Sequence, residues 1–237
     1  MDPRRGKEII WQDEFTSLDK LEDKWDFFTG VRGDAILTKN QIEVSNGILS
    51  IKLKRVRDKY ETSFISSKNT ESIVHGFFEA RIKAYGTPGA HCAFWLQSPL
   101  INDGFGALKS GVEVDIMEFR ARDQFDNDVS DLGHMAVHWG GYGKDHRTIN
   151  SYYSSGSKIL GEWGVYGVEW TESGYDFYVN DELVWKVRNA VSGVGEQIRL
   201  TCESKSGGWA GHIPVLKVDD DSEVNIGIQV DWVKVWK

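Results

Sequence analysis

Helical periodicity, long apolar runs, proline and cysteine are all scarce in this chain, and each shortage removes a class of answers. The 237 residues hold four prolines and two cysteines. No run approaches the ~18 apolar residues that a membrane-spanning helix needs, so no membrane span is expected. A disulfide scaffold would carry many more cysteines. Cys92 and Cys202 each sit in an apolar strand-like run, so buried free thiols are expected. Basic excess is missing too: the net charge is -8, which argues against nucleic acid, because phosphate binding rests on clustered Lys and Arg. One basic run, Lys52, Lys54, Arg55, Arg57 and Lys59, reads as a solvated strand end. No charged stretch followed by an apolar one opens the chain. An extracellular, cell-surface or periplasmic location is expected, with the export signal trimmed.

Against these shortages stand ten Trp, eight Tyr and 25 Gly. Short runs rich in β-branched and aromatic residues recur between turn signals: Gln41–Val44, Ile48–Lys54, Ser63–Ser67, Gly76–Ala84, Ala90–Gln97 and Val112–Phe119. The second half continues with His134–Gly140, Val165–Thr171, Tyr175–Val179, Glu182–Val187, Gln197–Glu203 and Val224–Trp236. Asn46-Gly47 and Asn180-Asp181 read as hairpin connections. Only Leu18–Trp25 looks helical, for one or two turns. No linker or fixed-period repeat interrupts the pattern, so residues 1–237 are expected to form one domain, a monomer. The fold class is all-β: a two-sheet antiparallel jelly-roll sandwich with an open concave cleft.

The most informative segment is Glu113-Val-Asp115-Ile-Met-Glu118, which sets three acids in an apolar strand. Regular alternation puts Glu113 and Asp115 on one face and Glu118 on the other. On the core face an unpaired Glu118 charge would cost several kcal/mol. A β-bulge between Asp115 and Glu118 restores the parity and turns all three carboxyls to one side. Two glutamates about 5 to 5.5 Å apart are what a retaining glycosidase uses. One must be ionised to attack the anomeric carbon and the other protonated to donate to the leaving oxygen. Crowding raises at least one carboxyl pKa, and Glu118 beside Phe119 is expected to be the one that keeps its proton.

This string resembles the bulged E-x-D-x-x-E signature of glycoside hydrolase family 16. The flanking strings Trp11-Gln-Asp-Glu14-Phe15, Gly76-Phe-Phe-Glu79-Ala-Arg81, Ala93-Phe94-Trp95-Leu96, Tyr166-Gly-Val-Glu169-Trp170 and Val230-Asp231-Trp232 carry the likeness along nearly the whole chain. The resemblance implies Glu113 as nucleophile, Asp115 as its helper and Glu118 as acid/base, with no cofactor for catalysis. It also implies a structural calcium held by Glu14, the Gly47 carbonyl and Asp231, an all-oxygen set. Asp219-Asp220-Asp221 lacks the Gly and Glu of an EF-hand loop and reads as a solvated turn.

A polysaccharide cleft needs flat aromatic faces and polar groups for hydroxyls. Trp95, Trp139, Trp209, His138, Arg81 and Glu203 are the expected substrate-binding residues, with a structural reading beside all but Glu203: core packing for the tryptophans and His138, a surface ion pair for Arg81. Trp170 and Trp232 are assigned to the core. The leading expectation is an endo-acting retaining hydrolase of β-1,3-glucan, of laminarinase type. Glu203, in Leu200-Thr-Cys-Glu203-Ser-Lys-Ser-Gly-Gly-Trp209, points to the alternative of a galactan hydrolase resembling agarases, porphyranases or carrageenases. A transglycosylase shares the same intermediate. A non-catalytic β-glucan-binding module is disfavoured by the three intact carboxylates.

Overall fold

The computed structural model describes residues 2–56, 59–205, 207–213 and 227–237. Arg57, the Asp219-Asp220-Asp221 turn and the residues leading into the last strand lie outside the described residues.

Two large antiparallel sheets face each other. One runs Glu182–Val187 (β17), Gly174–Val179 (β16), Gly164–Thr171 (β15), Gly76–Tyr85 (β10), Gly227–Trp236 (β19), Ile48–Lys52 (β6) and Ile42–Ser45 (β5), with Ile9–Asp13 (β1) also paired to β19. The other runs Arg147–Ser154 (β14), Leu132–Trp139 (β13), Glu113–Arg120 (β12), Ala90–Gln97 (β11), Gln197–Ser204 (β18), Phe64–Ser67 (β9) and Trp25–Phe27 (β2). A third sheet, Gly30–Arg32 (β3), Ala35–Leu37 (β4), Lys59–Thr62 (β8) and Lys54–Val56 (β7), joins them at one side and contains a parallel pair, β4 with β8. The all-β sandwich expected from the alternation is thus present, with a third sheet that the alternation did not announce. Its strands are three or four residues long, too short to show a period of two.

Alternation explains the core. Phe78, Ala80 and Ile82 of β10, Val168 and Trp170 of β15, and Val230, Val233 and Val235 of β19 are fully buried. They pack in one cluster with Phe94 and Leu96 of β11, Val114 and Phe119 of β12, and Ile198 and Leu200 of β18. Cys92 and Cys202 face each other across β11 and β18 as buried free thiols. At about 25 cal/mol per Å² of apolar area removed from water, this layer is the main stabilising element. Asn46-Gly47 joins β5 to β6 and Asn180-Asp181 joins β16 to β17, and all four residues have positive φ, as a twist-matched two-residue hairpin requires. The helical segment is one 3-10 turn, Leu18–Lys20, run into one α turn, Leu21–Lys24.

Candidate active site

Strand β12 lies mid-sheet between β11 and β13. Its register against β13 pairs Asp115 with Ala136 and then Glu118 with His134, so Ile116 and Met117 together stand opposite Met135. The bulge therefore sits where the carboxylate parity required it. Ile116, Met117 and Met135 are all buried in the core. The extra residue lets Glu113, Asp115 and Glu118 share the face that turns away from the core.

Around Glu113 the neighbours are neutral donors. Gln97 Nε2 donates to Oε2 at 2.6 Å, and the Tyr142 hydroxyl donates to the same oxygen. Gln97 Oε1 in turn accepts from Arg199. Burial nevertheless lifts the Glu113 carboxyl above its usual range, against the Tyr142 hydrogen bond and the charge of His138, which pull it down. Asp115 is raised well above its ordinary value, first by burial and then by the charges of Glu118 and Glu113. His138 Nε2 lies 3.2 Å from Asp115 Oδ2, and its other nitrogen is 3.0 Å from His146 Nε2. Burial opposes the charged form of His138, but Asp115 and the two glutamates outweigh it and raise its pKa.

Glu118 is different. His134 Nδ1 is 2.5 Å from Oε2, and His91 Nε2 is 2.7 Å from Oε1, a close ion pair rather than an aligned hydrogen bond. Burial works to protonate Glu118, yet the positive charge of His91 and the hydrogen bond with His134 hold its carboxyl down at about 2. Burial likewise works to discharge His91, yet Glu118 pushes it up to about 9. The expectation that Glu118 keeps its own proton near neutral pH is therefore corrected for the free cleft. Burial raises Glu113, and burial with the neighbouring carboxylate charges raises Asp115, while the proton at the Glu118 end rests on His91.

Two neighbouring hollows that share Arg32, Trp95 and Glu113 in their walls lie on this face. One of about 90 Å³ is lined by Arg32, His91, Trp95, Glu113, Glu118 and Glu203, among others. One of about 320 Å³ continues past Glu113 between Gln97, Tyr142, Arg199 and Arg32. Trp95 is 4% exposed and belongs to the floor, packed with Leu37, Phe64 and Ala93 beneath the Arg199 guanidinium, 4.9 Å from its ring. Trp209 stands half-buried at the Glu118 end, its ring under Arg120 at 3.8 Å and edge-on to His91 at 5.1 Å. Glu203 lines the smaller hollow and is paired with Arg32 at 2.7 Å. His138 reaches the carboxyls as described.

Two expected substrate contacts are not in the cleft. Trp139 follows cleft-facing His138 on β13, so alternation turns it to the opposite side, where it packs on the core. Arg81 belongs to β10 in the other sheet, where it pairs with Asp231 at 2.6 Å and covers the Trp163 ring at 4.6 Å. The surface ion pair weighed against its binding role is what forms.

The chain ends meet as the calcium expectation requires, since β1 pairs with β19, and a Cβ on Gly47 would lie 3.9 Å from the Glu14 carbonyl. Both carboxylates of the expected donor set are paired with cationic side chains, however. The Glu14 carboxylate is 3.1 Å from Lys234 Nζ and the Asp231 carboxylate is bound to Arg81. Calcium held by these carboxylates would compete with Lys234 and Arg81.

Several site residues escaped the sequence. His91, Gln97 and Arg199 share the parity of Trp95 on β11 or of Glu203 on β18, a signal that was available once the cleft face was fixed. Arg32 and Tyr142 come from a short third-sheet strand and a loop, where no periodicity marks direction.

Residues 30–234 match the description "Glycosyl hydrolases family 16". The chain belongs to this family. Among curated relatives, the family member is 24% identical to glucan endo-1,3-beta-glucosidase A1 of Niallia circulans, over 98% of this chain and 38% of that protein. The chain thus spans well under half the length of that relative. Among solved structures it resembles a glycoside hydrolase family 16 endo-glucanase from Bacteroides ovatus (TM-score 0.80, 18% identity, 96% of this chain and 100% of the other). It also resembles porphyranase B from Zobellia galactanivorans (TM-score 0.75, 20% identity, 98% and 92%).

Proposed function

We propose that the chain is an endo-acting retaining hydrolase that cleaves internal β-linkages of a polysaccharide, with β-1,3-glucan as the substrate. The observation that carries this reading is the bulge that sets Glu113, Asp115 and Glu118 on one open face, lined by polar side chains and an aromatic floor. The similarity to an endo-1,3-glucosidase supports the choice of sugar.

Glu113 attacks carbon one, and Glu118 gives a proton to the leaving oxygen and then takes one from water. That proton comes from His91. A sugar covering the cleft removes the water that helps to stabilise the His91–Glu118 charges, and a less solvated pair favours its neutral form. Asp115, held by His138, stands beside Glu113 on the same face and is the helper of the nucleophile. Export and a monomeric state complete the proposal.

The galactan alternative keeps one specific support, Glu203, which faces the cleft and is braced by Arg32. Both readings are tested by incubating the protein with laminarin, lichenan, agarose, porphyran and κ-carrageenan, and sizing the products. Early oligomers of several sizes from laminarin are expected. Cleavage of agarose or porphyran alone selects the galactan reading, and release of one small product from any of them refutes endo action.

A further inference from the structure

The loop between β13 and β14 holds Gly140-Gly141-Tyr142-Gly143, and its path is tightly constrained. Gly140 has φ +82, and a Cβ there would come within 2.2 Å of the Asp145 carbonyl oxygen. Gly141 has φ +72, with the Asn102 side chain 3.1 Å from where its Cβ would be. These positive φ values favour glycine, and the resulting turn carries the Tyr142 hydroxyl back onto the active-site face. The Tyr142 ring leans on His146 at 5.9 Å, and His146 lies parallel to His138 at 5.2 Å. Tyr142 is thereby supported from outside although half of it is exposed.

A tyrosine hydroxyl has one proton to give and lone pairs to receive with. Here the proton goes to Glu113 Oε2 and a lone pair accepts from Gln97 Nε2, which also donates to Oε2 at 2.6 Å. Gln97 is fixed with its amide nitrogen toward the carboxylate, because its own oxygen accepts from Arg199. Oε2 therefore holds two donors, and Oε1 holds none among the described residues.

We propose that Tyr142 is a positioning residue that, with Gln97, pins Glu113 Oε2 and leaves Oε1 as the oxygen that forms the bond to carbon one. The inference rests on the hydrolase reading above and goes beyond it by assigning the attacking atom and a residue outside the signature. As Oε1 bonds to carbon one, the bond to the leaving sugar breaks, and its electron pair stays on the leaving oxygen, which takes the Glu118 proton. Oε2 becomes the carbonyl oxygen of the ester and still accepts from both donors. Water then bonds to carbon one and passes its proton to Glu118, while the ester electron pair returns to Oε1.

Burial and the neighbouring Glu113 charge raise the Tyr142 pKa far above neutrality, so the hydroxyl stays a donor wherever the protein is folded. Glu113 is also faced by Asp115, Glu118, His138, Arg199, Arg32 and Glu196, and a Tyr142→Phe change alters none of these side chains.

The test uses 2,4-dinitrophenyl 2-deoxy-2-fluoro-β-laminaribioside on the wild type and on Tyr142→Phe. Wild type should be labelled on Glu113, and the variant should label about 10- to 100-fold more slowly, the value of a hydrogen bond to a charged group. On laminarin, kcat should fall more than KM changes, and the acid limb of kcat/KM should move to higher pH, because a donor that favours the Glu113 anion is gone. Equal labelling rates with an unmoved acid limb overturn the role of Tyr142. A wild type labelled elsewhere overturns the hydrolase reading, a failure distinct from the first. His146→Ala removes the outer support without touching Glu113, so it should slow labelling in the same direction but less. A change in KM alone for that variant also overturns the proposal.

Discussion

His91 Nε2 stands 2.7 Å from Glu118 Oε1, and each holds the other in its charged form. The pair links Glu118, the proposed acid/base, to a strand, β11, that the signature itself does not include. It also gives the protein a pH signature in which the two partners act at opposite ends.

His91 has a raised pKa when folded, so its contribution is complete below its ordinary value of 6.5 and is lost as pH rises through about 9. Glu118 has a lowered one, so its contribution is complete above 4.5 and is lost as pH falls through about 2. The window of full stabilisation by the pair is pH 4.5 to 6.5. His91→Gln should therefore lower Tm most within that window and little above pH 9, as read by thermal scans from pH 4 to 10. A Tm difference that grows between pH 7 and 10 contradicts the pairing.

The two glutamates should separate in kinetics. On the proposed double displacement, Glu113→Ala forfeits the covalent route and should lose several powers of ten in kcat. Glu118→Ala should lose roughly 10²- to 10⁴-fold on polysaccharide but keep most of its rate on an aryl glycoside whose leaving group needs no proton. Azide should rescue Glu118→Ala and give a β-configured product, visible by proton NMR. An α-configured azide from that variant assigns the nucleophile to Glu118 instead.

The two cleft tryptophans should also differ. Trp95 is almost wholly buried, so Trp95→Ala should cost about 3–5 kcal/mol of stability, the range for a large core truncation. Trp209→Ala loses the Arg120 stack and the edge contacts to His91 and His134, and should weaken oligosaccharide binding with Tm lowered by only a few degrees. Calorimetric titration with laminari-oligosaccharides, run beside thermal scans, separates the two effects. A Trp209→Ala protein that melts as early as Trp95→Ala would place Trp209 in the core.

At the chain ends, Lys234 and Arg81 already neutralise Glu14 and Asp231. A chelator should leave Tm unchanged, and added calcium should not raise it. Elemental analysis after dialysis should find less than one calcium per chain. A Tm that drops on chelation and recovers with calcium restores the metal site.

The sequence by itself determined the β class, two hairpin turns, the need for a bulge and the identity of the three carboxyls. Each of these rests on local rules. Alternation has a fixed period, Asn-Gly and Asn-Asp tolerate positive φ, and a charge cannot face a packed core unpaired. Tertiary structure decided what surrounds the carboxyls. His91 and Arg199 reach them through cross-strand register with β12 and β11, Arg32 through a sheet of strands too short to read, and Tyr142 through a glycine loop. It also decided where the proton sits in the free cleft. Counting nearby acids predicts a protonated Glu118, but a pKa is set by every charge within a few ångströms, and the two imidazoles there come from β11 and β13. The sites of Trp139 and Arg81 turned on facts of the same kind. One depends on the parity of its neighbour, the other on which sheet its strand joins, and sheet membership is a long-range pairing that no local pattern encodes.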